Sequence, residues 1–299
     1  MKILLTGASG FIGRRLLKSL IKKYGIESIV VLSSNNIDHV ECYKYKSSHD
    51  FNINEKYFKN ITHIIHAGAF TPKEAAQVNN IEGSCSNIDF TKNLLTYELE
   101  SLKRIINLST IDVYAPSLEK LSERSQINPA SLYGMSKLYC ERMIKYFSEN
   151  HKADYINLRI GHVYGPGEEE YKKVIPTTIK KILENKPIQI WGDGNELRSF
   201  IFIDDVVDSI INALSIPIND KNINVVSGTA ISILELINTL ISFDNKSHEI
   251  QKIKLNHDSK DVIFDNTLLL NKILKKENDL RQGLEIEYEY MKKKYENNI

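Results

Sequence analysis

The segment GASGFIG, carrying Gly7, Gly10 and Gly13, constrains this chain more than any other. It follows an apolar run from Lys2 to Thr6 and precedes apolar residues at helical spacing: Ile12, Leu16, Leu17, Leu20 and Ile21. Strand, glycine turn and helix in that order bring backbone amides at the positive helix end close to a phosphate, because glycine has no side chain to hold a ligand off. Gly10, Phe11, Ile12 and Gly13 are the candidate amide donors to a pyrophosphate. The helix is expected over Phe11 to Tyr24, stopped by Gly25.

The unit then repeats. SIVVL (Ser28 to Leu32), THIIHAG (Thr62 to Gly68), RIINLST (Arg104 to Thr110) and DYINLRI (Asp154 to Ile160) read as strands, and SIVVL has the continuous apolar character of one buried on both faces. Helices are expected between them, over roughly Val78 to Leu102 and Tyr133 to Asn150. The alternation predicts an α/β fold, a doubly wound parallel sheet of Rossmann type over residues 1–161, rejoined by about 200–228. A smaller C-terminal substrate-binding domain is expected over 162–299, where VYGPGEEE and IWGDGNELRSF read as ligand loops. Its helices are expected near Ile175 to Leu183, Asp204 to Leu214 and Leu280 to Tyr295.

Thirty-nine basic residues against 38 acidic ones leave a formal charge of +1. That supplies no field to hold nucleic acid or an anionic membrane, so any anionic partner is bound locally. No run approaches the roughly 20 apolar residues of a membrane span. Cys42, Cys85 and Cys140 are odd in number and widely spaced, which points to a reducing cytoplasm. His63 and His66, three apart on a strand, face opposite ways, and no metal site is expected.

An NAD enzyme usually grips the adenosine ribose with an Asp or Glu at the end of the second strand. Ser33 and Ser34 stand there instead, and Arg14 follows the last glycine. Hydroxyls and a guanidinium would accept a 2′-phosphate, which favours NADP(H) and leaves NAD(H) possible. Asp50 is a candidate for the adenine. Tyr133 and Lys137, four apart in YGMSK, share one helix face. A neighbouring ammonium stabilises phenolate, so the lysine is expected to lower the tyrosine's pKa from about 10 and to hold the nicotinamide ribose. Ser109 and Thr110 end the strand just upstream, where ligands gather.

GASGFIG, IIHAGA, LSTIDVYA, YGMSK, LRIGHVYGPG and ELRSFIFIDDV together resemble the NAD-dependent epimerase/dehydratase family, extended short-chain dehydrogenases acting on nucleotide sugars. The resemblance implies that Ala67 of IIHAGA meets the dinucleotide and that Thr110 bonds the reacting sugar oxygen. It makes Tyr133 the acid/base, Lys137 its activator and Asn87 a brace for the catalytic helix. Phe90 stands where the family usually has glycine. Arg198 matches the arginine that grips the nucleotide diphosphate, the run NHDSKDVIFD lacks the second such arginine and has only Lys260 nearby, and His162 stands at the sugar-nucleotide site. Sugar 4,6-dehydratases follow the threonine with Asp-Glu, whereas here Ile111 and Asp112 follow it, which argues against dehydration.

The implied partner is a nucleotide-diphosphate sugar, and the family's helix-bundle dimer makes a homodimer the expectation. The HVYGPGEEEYKKVIP segment resembles reductases of 4-keto-6-deoxy nucleotide sugars. That favours an NADPH-dependent reductase, with a 4-epimerase retaining NAD as the alternative. A dinucleotide-sensing regulator on the same fold is the alternative of another class.

Overall fold

The computed structural model describes residues 1–217, 219–254 and 260–297. Twelve strands and eight helices follow one another among them: β1 Ile3–Thr6, α1 Phe11–Tyr24, β2 Ile29–Ser33, β3 Glu41–Lys44, β4 His63–His66, α2 Ile81–Leu95, β5 Arg104–Thr110, α3 Leu132–Asn150, β6 Asp154–Ile160, β7 His162–Tyr164 and α4 Val174–Leu183. Then come β8 Ile188–Trp191, β9 Leu197–Phe202, α5 Ile203–Ala213, β10 Asn222–Val225, β11 Ala230–Ser232, α6 Ile233–Ile241, β12 Ile250–Ile253, α7 Thr267–Lys272 and α8 Leu280–Glu296.

Seven strands form one sheet in the order β10-β6-β5-β4-β1-β2-β3, every neighbouring pair parallel. Side chains alternate along each strand, so Ile3 and Leu5 enter one core and Leu4 the other. The first core contains Leu16, Leu17 and Leu20 of α1 and continues without a break through Ile179, Leu236 and Tyr288 of the C-terminal elements. The second is closed by Phe90 and Leu94 of α2 and Ile144 of α3. Strand order reverses between β1 and β4, and at that switch point the carboxyl ends of the strands open a crevice.

The C-terminal elements add β7-β9-β11 and the pair β8-β12. ELRSFIF is therefore largely strand, not loop, because β9 is held on both sides by β7 and β11. Helix α2 is shorter than its apolar residues suggest. Asn80 caps it by accepting from the Gly83 amide, and it ends at Thr96, leaving Leu99 and Leu102 buried in the connection to β5. Asp50 lies beyond β3 in a turn closed by paired Ser47 and Asp50 backbones, not on a strand end.

One buried polar network ties the sheet to α3. The Arg159 guanidinium donates to both Glu141 oxygens at 3.0 and 2.9 Å and to the Tyr114 hydroxyl at 3.0 Å, and that hydroxyl donates to Asn224 Oδ1 at 2.7 Å. It joins β6, α3, the turn after β5 and β10.

Candidate active site

The glycine turn is fixed by sterics. Gly7 has φ +73°, and a Cβ there would lie 2.6 Å from the Ala67 carbonyl and the Gly68 nitrogen. A Cβ on Gly13 would lie 1.9 Å from the Gly7 carbonyl oxygen. The first turn of α1 so nests in the turn after β1, with the Gly10 amide donating to Gly7 O at 3.0 Å. No side chain caps this helix and no acidic residue enters its first turn. Its free amides and absent side chains make a cradle that fits a dinucleotide pyrophosphate. Phe11 is buried and Ile12 half-buried at the same end.

The other sequence candidates for the cofactor are spread around this turn. Ser33 ends β2, where its hydroxyl accepts from the Asn35 amide at 3.2 Å. Arg14 does not bond Ser33. Its guanidinium stands 3.5 Å from Glu170, whose other oxygen accepts from Lys73 at 2.7 Å. Lys172 donates to Glu74 at 2.6 Å, and its amide donates to the Lys73 carbonyl at 2.9 Å. The loop after β7 is thereby clasped to α1 and to the loop after β4, over the glycine turn, with Tyr171 against Phe11 at 6.0 Å between ring centres.

The catalytic candidates are brought together by a second close approach. A Cβ on Gly134 would lie 2.3 Å from the Asp112 carbonyl, so the start of α3 abuts the turn that follows Thr110. Ser131 caps α3 and the Tyr133 amide donates to Val78 O at 3.0 Å. Thr110 Oγ1 donates to Asp112 Oδ2 at 3.3 Å and accepts from the Asp112 amide. Asn87 donates to Ser136 of α3 at 3.2 Å and accepts from the Phe70 amide at 2.6 Å. Phe90, in place of a glycine, stacks on the buried His66 ring at 5.6 Å.

Tyr133 departs from the sequence expectation. Burial pushes its pKa up, the Asp112 carboxylate adds to this, and the Thr71 and Thr110 side chains act the other way. Burial likewise lowers Lys137, which Cys140 and Glu141 oppose. Spacing in the sequence registers the pair but not its desolvation, which is the largest influence on both side chains. Lys137 is buried as a residue while its ammonium nitrogen keeps some solvent access, and it has no hydrogen bond or ion pair among the described residues. Thr71 and Tyr171 were not foreseen. FTP, directly after IIHAGA, is the only sequence signal for the former.

Burial lowers His162 to about 4, helped by the Lys173 and Arg198 charges, so the ring is neutral near pH 7. Its Nδ1 lies 3.3 Å from the Ser199 carbonyl. Arg198 is half-buried on β9 and donates to the backbone carbonyls of Leu197 and Lys260 at 2.9 and 2.6 Å. Of NHDSKDVIFD, residues 256–259 lie outside the described residues. The described residues contain no group of three or more acidic, His or Cys side chains fit for a metal, and no helix among them is long and apolar enough to cross a membrane.

The NAD dependent epimerase/dehydratase family model matches residues 3–226, and the chain belongs to that family. Its relatives differ in reaction. It is 30% identical over 258 residues to the dTDP-4-dehydro-6-deoxyglucose reductase of Escherichia coli, covering 80% of both chains. Against the dTDP-D-glucose 4,6-dehydratase of Dictyostelium discoideum it is 31% identical over 235 residues, 70% of this chain and 54% of the other, so it spans about half that enzyme's length. The UDP-glucuronic acid 4-epimerase of Bacillus cereus, solved with NAD, is 26% identical and superposes with a TM-score of 0.81 over 99% of this chain and 100% of that one. A Thermotoga maritima UDP-glucose 4-epimerase, at 22% identity, shares the fold with a TM-score of 0.82 over 99% of this chain and 100% of that one.

Proposed function

We propose that this chain is a nucleotide-sugar oxidoreductase working at the sugar C4, and that it reduces a 4-keto-6-deoxy nucleotide sugar. The observation that carries this is Lys137, a buried residue whose ammonium has no hydrogen bond or ion pair among the described residues, one helical turn after Tyr133, which lies beside the Thr110 hydroxyl. A bound ribose would give that ammonium the hydroxyls it lacks, and its charge would stabilise the phenolate left by proton transfer. The dinucleotide supplies the hydride when bound. Tyr133, held protonated by burial, donates its proton to the 4-keto oxygen, and Thr110 turns from Asp112 to donate a hydrogen bond to the same atom.

In this reading residues 1–161, with about 200–228, carry the cofactor, and the remainder of 162–299 covers the nucleotide sugar. Arg198 and His162 face the substrate side, and Arg198 would trade its backbone carbonyls for a diphosphate. Ser33 and the lack of a carboxylate on β2 favour NADP(H), although Arg14 would have to leave Glu170 to help. An exposed apolar face on Leu132, Met135, Tyr139 and Tyr146 of α3, next to Ile81 of α2, supports a homodimer. Three free cysteines suit the cytoplasm.

The 4-epimerase reading is favoured by one specific observation, the clasp across the glycine turn, which suits a cofactor that never leaves. Nicotinamide content of the purified protein separates the two. An empty site that prefers NADPH over NADH supports the reductase, whereas tightly retained NAD retires it in favour of the epimerase.

A further inference from the structure

Three polar side chains of α3, Tyr133, Lys137 and Glu141, follow one another at intervals of four and so share one helix face. All three residues are buried. A lysine and a glutamate one turn apart on a buried face attract each other strongly, because little water screens them. Among the described residues these two nevertheless form no ion pair. Both Glu141 oxygens accept instead from Arg159 of β6, one from Nε at 3.0 Å and the other from Nη2 at 2.9 Å. The remaining guanidinium nitrogen donates to the Tyr114 hydroxyl at 3.0 Å, and the guanidinium lies 5.0 Å from the centre of the Tyr114 ring. Arg159 is thus held by all its nitrogens, and its planar fork fits the carboxylate as a single ammonium cannot. Burial lowers the Lys137 pKa while Cys140 and Glu141 oppose it, so the carboxylate is within electrostatic reach of the ammonium.

A buried ion pair is a poor stability device, since well-packed apolar residues of similar volume commonly serve as well. What this one changes is the charge beside it. An ammonium paired with a carboxylate one turn further along its own helix is drawn away from Tyr133 and has fewer hydrogens left to offer a ribose. We propose that Arg159 is a positioning residue for Lys137: it occupies both oxygens of Glu141, so the ammonium stays free to take the hydroxyls of a cofactor ribose. Arg159 acts only through Glu141. This rests on the reading of Lys137 given above.

The test is equilibrium binding of NADPH and NADH to the full-length protein, read by cofactor fluorescence, with thermal unfolding of each variant to show that it is folded. Lys137→Met sets the loss that goes with the missing ammonium, expected at about tenfold or more. Arg159→Met, which leaves Glu141 to Lys137, should lose about as much. Glu141→Gln removes the competing charge but keeps an acceptor for Arg159, and should bind within about threefold of the wild type although its Tm falls. The double variant Arg159→Met/Glu141→Gln should regain the affinity that Arg159→Met loses. A merely structural pair predicts equal losses on removing either partner and no recovery in the double variant. Wild-type affinity in Arg159→Met, or a loss in Glu141→Gln or the double variant as large as in Lys137→Met, overturns the proposal, and the latter two variants decide it if Arg159→Met does not fold. If Lys137→Met binds like the wild type, or the wild type binds neither cofactor, the oxidoreductase reading has failed and the proposal falls with it.

Discussion

At the residue scale, the glycines were legible in the sequence because their reason is local sterics. Gly13 has no room for a methyl group, its Cβ position lying 1.9 Å from a backbone oxygen that cannot rotate away. Gly13→Ala is therefore expected to push α1 off the turn, costing about 1–3 kcal/mol and most of the dinucleotide affinity. Urea unfolding and NADPH titration check it, and an unchanged affinity would remove the cradle from the account. Tyr133 and Lys137 were equally legible as a pair, but their protonation was not, since burial is a property of the packed chain and not of the spacing. Asp112 was visible only as a departure from the dehydratase pattern. Its approach to the start of α3 depends on the Gly134 contact across two elements. Arg198→Ala is expected to raise KM far more than it lowers kcat, because a diphosphate remote from C4 contributes uniform binding. Steady-state kinetics showing the reverse split would contradict that.

At the element scale, the apolar runs marked the parallel strands, and Tyr133 and Lys137 fall in the first turns of α3 as their segment suggested. The boundaries that differed were set by contacts outside each element. Asn80 starts α2 later than its apolar pattern, and β9 forms because two other strands flank a segment that is turn-like in composition. The Glu141–Arg159 pair is another feature no periodicity announces. Both side chains are about 4% exposed, so removing one partner strands a buried charge. Glu141→Ala is expected to cost about 3–5 kcal/mol in chemical denaturation, and a loss below about 1 kcal/mol would show the network to be dispensable. Because this pair fixes α3 against β6, the same variant should also slow turnover.

At the scale of the whole molecule, a continuous core runs from the parallel sheet into the C-terminal elements, so stability is shared between them. Three histidines resist protonation in the folded chain. Burial lowers His66 to about 3, while His63 and His162 fall to about 4, the ring of His66 lying between the Thr6 and Thr91 hydroxyls at 3.0 and 2.9 Å. The unfolded chain binds these protons near the ordinary value of about 6.5 and the folded chain resists them. Their contribution is thus complete above about pH 6.5 and is lost as pH falls toward 4 and 3. His66→Gln should flatten the fall in unfolding free energy between pH 7 and pH 4.5 by about 2 kcal/mol, and an unchanged slope would assign the acid sensitivity elsewhere.

The central claim is proton and hydride transfer at C4 through Tyr133. It is tested most directly by following reduced-cofactor absorbance with dTDP- and UDP-linked 4-keto-6-deoxyglucose, using the wild type and Tyr133→Phe. The account predicts ketone-dependent oxidation of NADPH or NADH by the wild type and a loss of about 10²- to 10⁴-fold in the variant, which still binds the cofactor. Equal turnover by both proteins would contradict it.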